Sequence, residues 1–436
     1  MTGYSLKEIS KQLNSGSIPN AANYGNVYTK DEVYTKDEVL GSFGNLSSPL
    51  LDLPLKNSLA MKAGVGDVTF TRASTATYID RYGVLQYAAI DESRLEKDGM
   101  LIEGTSTNLY LQSSDFISGW VLNGATKTQN ATTAPDGSNN AISLADNGNG
   151  FITHTTSVTA GVTYTTSIFA KAGTTNKVWI NLHPTSWSGD IVVFDLTLGT
   201  ITSSNSSATA TITELADGWY RCSATDVCTT TATTQNVRLN SVGTNIGETI
   251  YFWGAQLEAL PFATSYIPTT TTAVTRAIDF GYIQATNNIP ALYEPFTMVT
   301  EHTYNGTDGA APVDQFNSVN AAGVTIFYCR CDTANARYSV NIGGVAGTTS
   351  TTGSLVVGET TKLAVVYDGT YLNLYLNGVF INKAIVTNSS ISREPLTVFK
   401  LNGWSIDSTS SPAGLSNRGS TKWYDFALTP TEIALA

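Results

Sequence analysis

Leu363-Ala364-Val365-Val366-Tyr367-Asp368-Gly369-Thr370-Tyr371-Leu372-Asn373-Leu374-Tyr375-Leu376 is two apolar runs joined by Asp-Gly-Thr. Val, Leu and Tyr in such short runs favour extended backbone, and Asp-Gly supplies the positive φ that a tight primed turn requires. The stretch predicts a β-hairpin, and Asn377-Gly378 predicts a second turn into Val379-Phe380-Ile381. From Phe296 to the C-terminus, further extended runs follow at the spacing of a β-sandwich.

The whole chain carries the same signature. Its 436 residues allow two or three domains, each with its own core. Only 14% of residues are charged, and Thr, Ser, Asn and Gly are abundant, as in all-β sandwiches with short polar turns. The net charge of −11, with Lys and Arg scattered singly, excludes the clustered basic surface that a nucleic-acid partner needs. No basic-plus-apolar leader and no run long enough to span a bilayer occurs, so a soluble chain without membrane insertion is expected.

Cys222, Cys228, Cys329 and Cys331 are too few for a disulfide scaffold at this length. Cys329 and Cys331, at i and i+2 of a strand, share a face but hold their backbones too far apart for a bridge. Three isolated histidines and one Cys-x-Cys do not give zinc spacing. Buried free thiols, no metal and no cofactor are expected.

Upstream, residues 1–27 offer one short helical possibility, Ser5 to Leu13, in a flexible arm. Residues 28–56 begin with a tandem hexapeptide, Tyr28-Thr29-Lys30-Asp31-Glu32-Val33 and Tyr34-Thr35-Lys36-Asp37-Glu38-Val39. A period of six is no heptad seam, although Thr29/Glu32 and Thr35/Glu38 have capping-box spacing. The segment reads either as a solvated linker or as a neck where copies of the chain meet, with Tyr28, Val33, Tyr34 and Val39 as the contact residues. Gly41 to Pro54 is a linker whose Leu50, Leu51 and Leu53 are available for docking.

From Val68 the pattern becomes short extended runs. Phe70-Thr71-Arg72-Ala73-Ser74-Thr75-Ala76-Thr77-Tyr78, the Gly83-Val84-Leu85-Gln86 hairpin, Met100-Leu101-Ile102-Glu103-Gly104, Thr107-Asn108-Leu109 and Ser114-Asp115-Phe116 ahead of Trp120 together resemble the opening module of many bacteriophage tail-fibre and receptor-binding proteins. The hexapeptide resembles a repeat of phage fibre necks, which favours the neck reading. Ser167 to Gly173, Asp217 to Arg221, Trp253 to Glu258 and Thr264 to Thr269 are similar to jelly-roll carbohydrate-binding modules. The Leu363 to Val379 series and Trp423-Tyr424-Asp425-Phe426-Ala427-Leu428-Thr429 resemble the concanavalin-like, laminin-G-like lectin sandwich.

The expected fold is all-β: two tandem jelly-roll/concanavalin-like β-sandwiches after a short N-terminal arm with limited helix. The expected division is 1–27 as a virion-attachment arm, 28–56 as neck and linker and 57–110 as a phage-type module packed on the first sandwich. Residues 111–275 follow as the carbohydrate-binding-like jelly roll, and 276–436 as the lectin-like sandwich. The resemblance implies a homotrimeric fibre in the virion, assembled in the host cytoplasm. It would bind other virion proteins through residues 1–27 and host-surface glycan through its sandwiches.

No Gly-x-Ser-x-Gly elbow, His-Glu-x-x-His or phosphate-binding Gly loop is present, so no catalytic residue is assigned. An Asp/Glu glycosidase pair depends on a carboxylate separation that sequence does not display, and a hydrolase or esterase is the minor alternative. A fibre without a ligand is the other. Sugar binding needs an exposed aromatic face beside polar groups. Trp187 and Asp190, in the turn-rich Asn181 to Asp190, and Trp404 with Arg418 in the second sandwich are the candidates. Trp219 and Trp253 lie in apolar runs and read as core.

Overall fold

The computed structural model describes residues 48–56, 58–182, 191–204, 208–241, 246–307, 313–322, 325–332, 337–343, 345–356, 358–386, 391, 393, 395–401 and 414–436. The arm, and the neck residues Tyr28, Val33, Tyr34 and Val39, lie outside them. Pro49–Ile433 form one compact unit. It is all-β, with every ladder among the described residues antiparallel, apart from a single 3-10 turn at Ala216–Gly218 and a short helix at Pro430–Leu435 among the described residues.

The predicted hairpin is there. Strands Thr360–Tyr367 and Tyr371–Leu376 pair from Leu363↔Leu376 to Tyr367↔Leu372, and Val379–Ile385 adds the third strand. Asn377 (φ 50°) and Gly378 (φ 79°) both take the left-handed conformation that a primed turn demands. Leu372, Leu374 and Val365 point inward from alternate positions and are fully buried. Beyond the hairpin, the sheet continues through Phe296–Thr307 and Gly414–Tyr424. It faces a second sheet built on Thr325–Asp332, Arg337–Ile342 and Leu396–Lys400, and the two share one core around Phe296, Phe327, Phe399 and Trp423. All four cysteines are free and buried.

The first sandwich contains strands Thr163–Ala172, Lys177–Leu182, Ile191–Asp195, Trp219–Val227, Ala232–Ser241 and Thr249–Glu258. Its pivot is the 18-residue strand Ala141–Val158. The first part of this strand pairs with Thr249–Phe252 and its last part with Ala232–Leu239, so one strand serves both layers. The bend between them is held by Asp146, whose Oδ1 accepts the N–H groups of Gly148 and Gly150, each at 2.7 Å. Gly150 is required there, because a Cβ would lie 2.1 Å from the Gly124 carbonyl oxygen.

Residues 57–110 do not pack on the first sandwich alone. Gly99–Glu103 joins the eight-stranded sheet of the C-terminal sandwich through Gly414–Tyr424, and Thr69–Thr71 joins the opposite sheet through Phe280–Gln284. The Ala76–Ala88 hairpin instead covers the first sandwich, placing Ile79 and Leu85 against Phe169, Trp219 and Trp253. Leu51–Leu53, read from sequence as linker, is a strand paired with Thr421–Trp423. The chain therefore enters its C-terminal sandwich first, leaves to build the jelly roll, and returns. The exit strand Ser106–Asn108 and the return strand Val274–Arg276 pair with each other.

Candidate functional site

Two places bring chemically capable side chains together. The first is a buried charge cluster where the 57–110 segment, the end of the jelly roll and the return strand meet. Arg94 Nη1 lies 2.5 Å from Glu103 Oε2, and Arg94 Nη2 binds Asp279 Oδ2. Arg72 Nη1 lies 3.3 Å from Asp279 Oδ1, and Arg276 Nε stands 3.4 Å from Glu103 Oε2. Ser265 donates to Glu103 through its N–H at 2.7 Å and its hydroxyl at 2.6 Å.

This is the carboxylate pair that an acid/base reading would seize on, and its environment argues for another role. Glu103 and Asp279 have no exposed side-chain surface, and arginine, serine and backbone donors occupy them. Burial pushes the Glu103 carboxyl up, but Arg276, Arg94 and Ser265 more than reverse this and hold it at about 2, down from an ordinary 4.5. A general acid needs the opposite, a raised value and access to substrate. The cluster is a clamp between chain segments.

The clamp predicts an acid dependence. The folded Glu103 value lies below the unfolded one, so its contribution is fully present above about pH 4.5 and is lost as pH falls toward 2. Urea midpoints should be flat from about pH 7 to 5 and then fall. Glu103→Gln should be less stable at neutral pH and show a shallower acid limb. An unchanged acid limb in that variant would refute the assignment.

The second place is the outer face of a jelly-roll sheet. In the jelly roll, the face bearing Phe169, Trp219 and Trp253 is sealed by the Ala76–Ala88 hairpin and Tyr266. Trp253 Nε1 donates to Asn140 Oδ1 at 2.7 Å and Trp219 Nε1 to the Thr133 carbonyl at 3.1 Å, so both indoles are satisfied inside. The opposite sheet turns Val178, Ile180, Val192 and Phe194 into the core, all fully buried. Strand alternation then places Lys177, Trp179, Asn181, Ile191 and Val193 on its outer side.

Trp179 is half-buried there. It sits in register between Val193 on one neighbouring strand and Asn240 on the other. The adjacent row runs Ile191, Asn181, Arg238, Thr153, Val121 across four ladders. Ile191 and Val121 expose 38% and 51% of their surface, whereas Asn181 and Thr153 between them are buried, so the row is open to solvent only at its ends. A half-buried indole beside Val193 offers a flat apolar surface that suits the C–H face of a ligand.

Of the sequence-derived candidates, Trp187, Asp190 and Trp404 lie outside the described residues. Trp187 and Asp190 fall in the sequence between strands Lys177–Leu182 and Ile191–Asp195, which pair up to Asn181↔Ile191. Arg418 is not at the surface. It lies within strand Gly414–Tyr424, 1% exposed, with Nε donating to the Leu401 carbonyl at 2.9 Å and its guanidinium over Phe316. Trp179 had a usable signal that the sequence reading passed over: Val178 and Ile180 flank it at the inward parity of a strand.

No family model matches the chain, and no curated protein is similar to it. Among solved structures it is similar to a botulinum neurotoxin type C structure, at 11% identity and a TM-score of 0.29, over 36% of this chain and 39% of that one. The binding domain of botulinum neurotoxin serotype D matches at 12% identity and 0.29, over the same shares. A heptameric SAP-like pentraxin from Limulus polyphemus matches at 11% identity and 0.27, over 32% of this chain and 68% of that one. The chain thus spans about two fifths of the length of the neurotoxin structures it matches. At these values the likeness is a partial one of fold.

Proposed function

We propose that this chain is a non-enzymatic receptor-binding subunit of a bacteriophage fibre, attached to the virion by its N-terminal arm and binding host-surface glycan through the outer face around Trp179. The observation that carries the binding reading is the asymmetry of the first sandwich. One sheet face is buried under the chain's own hairpin, while the other presents a half-buried tryptophan beside Val193. The fibre reading rests on the neck hexapeptide and the phage-type 57–110 module. A single shallow site binds a sugar weakly, and several copies in a trimeric fibre would supply the adsorption strength by avidity.

Purified fibre should adsorb to host cells and to a subset of an immobilised glycan panel. Trp179→Ala should weaken glycan binding at least about tenfold, or roughly 1.4 kcal/mol, with the variant still folded and losing only the roughly 0.2–1 kcal/mol of a cross-strand pair. Absence of adsorption by the intact protein would favour the alternative, a structural or decoration fibre. Release of shortened polysaccharide would favour a hydrolase.

A further inference from the structure

A cleft of about 490 Å³ opens where Thr69–Thr71, the outermost strand of its sheet, meets the segment returning from the jelly roll. That volume is ordinary for a small-molecule site. Thr71 and Phe280 line it and face each other in register. Phe70 belongs to the core, so strand alternation puts Thr71 and Phe280 on the outer side of the sheet. Ile278 lines the cleft from the return segment, and Ile90 and Asp91 line it from the end of the Ala76–Ala88 hairpin.

Two bonds fix Asp91 there. Its N–H donates to the Arg72 carbonyl at 3.1 Å, and its Oδ1 accepts the Arg72 N–H at 2.8 Å. The Asp91 backbone is left-handed (φ 60°), a conformation that Asp and Asn adopt more readily than most residues. Oδ2 accepts no hydrogen bond among the described residues, and the Thr71 hydroxyl makes none among them. Arg72, the cation among the lining residues, is already committed. Its Nε donates to the Ser74 carbonyl at 2.8 Å, its Nη2 to the Ala89 carbonyl at 2.6 Å, and its Nη1 lies 3.3 Å from Asp279 Oδ1.

A ligand in this cleft meets a fixed carboxylate, a hydroxyl and no free cation. That combination repels an anion and rewards hydroxyl donors, which form charge-assisted bonds to a carboxylate. The rest of the lining is apolar and still has surface to cover: Ile90 is 57% exposed, and Ile278 and Phe280 are half-buried. A ligand hydroxyl set against it gives up water without gaining a partner, whereas a methyl group gains by leaving water.

We infer that this cleft is a further carbohydrate subsite, selective for a neutral 6-deoxyhexose whose ring hydroxyls bind Asp91 and Thr71 and whose C5 methyl packs on Ile90 and Ile278. It rests on the glycan-binding reading of the chain but on no residue around Trp179.

Saturation-transfer NMR on the full chain tests it with two pairs of probes, L-fucose against L-galactose and L-rhamnose against L-mannose. Within each pair the sugars differ only in the C6 hydroxyl. At least one deoxysugar should show saturable binding, on the order of millimolar, and bind at least about fivefold tighter than its counterpart. Asp91→Asn keeps an acceptor for the Arg72 N–H and a side chain at home in the left-handed conformation, and should weaken deoxysugar binding at least about fivefold. Ile90→Ser, at an exposed position, should leave the unfolding midpoint in place and remove the preference within the pair. Trp179→Ala should change none of this. Equal binding within both pairs, binding of no probe, or deoxysugar binding unaltered by Asp91→Asn would overturn the inference. So would its loss in Trp179→Ala, which would move the sugar to the other face. Failure of the intact protein to adsorb to cells, with deoxysugar binding retained, would instead count against the receptor-binding reading alone.

Discussion

Arg94→Ala should lower the stability of the folded chain by about 3–5 kcal/mol, the usual result of removing one partner from a buried ion cluster. Arg94 touches both carboxylates, Glu103 and Asp279, and also donates to the Thr77 carbonyl at 2.9 Å and the Ser265 hydroxyl at 2.7 Å. Without it, two buried carboxylates lose the cation they share. Arg72 and Arg276 each reach only one of them, at 3.3 and 3.4 Å. Solvent does not replace the loss, because Glu103 and Asp279 are 1% and 0% exposed. For a unit of this size, such a loss corresponds to a fall of about 5 °C in the unfolding midpoint. Arg94→Lys should be only partly better, since an ammonium does not span both carboxylates as a fork does. A calorimetric midpoint within about 1 °C of wild type for Arg94→Ala would show that the cluster is not the clamp described.

That clamp also marks the limit of what the sequence displays. The hairpin at Leu363 to Leu376 was legible because its code is local: alternating apolar residues and an Asp-Gly turn within fourteen positions. Trp219 and Trp253 were legible as core for the same reason. Arg72, Arg94, Glu103, Arg276 and Asp279 lie in four separate stretches, each of which reads as an ordinary polar strand end. Only the fold assembles them. Arg418 shows the converse: beside a Ser/Thr-rich stretch it resembles a surface residue, but its strand lies between Phe296–Thr307 and Gly99–Glu103, which makes it interior. The long strands Trp120–Thr132 and Ala141–Val158 were equally obscure. The first is mostly polar and exposed, and the second carries buried polar residues such as Thr153 and His154, so little apolar alternation remains to read.

The Leu51–Leu53 strand yields the other large effect, and it tests the chain path itself. If Gly41 to Pro54 were a linker, truncating a leucine there would cost almost nothing. In the fold, Leu51, Leu53 and Leu55 are fully buried in the C-terminal core with Trp423, Phe296 and Met298. Leu53→Ala should therefore cost about 2–5 kcal/mol, the transfer of the lost methyl groups plus the cavity they leave. The midpoint should drop by roughly 3–6 °C. Asp52 is the internal control: it pairs with Lys422 in the same ladder but points to the other side and is only half-buried. Asp52→Ala should stay within about 0.5 kcal/mol of wild type. A large loss for Leu53→Ala with a small one for Asp52→Ala is the pattern only a paired strand with one buried face produces. Equal, negligible losses would return the segment to a tether and remove the reason for placing the start of the described chain inside its last sandwich.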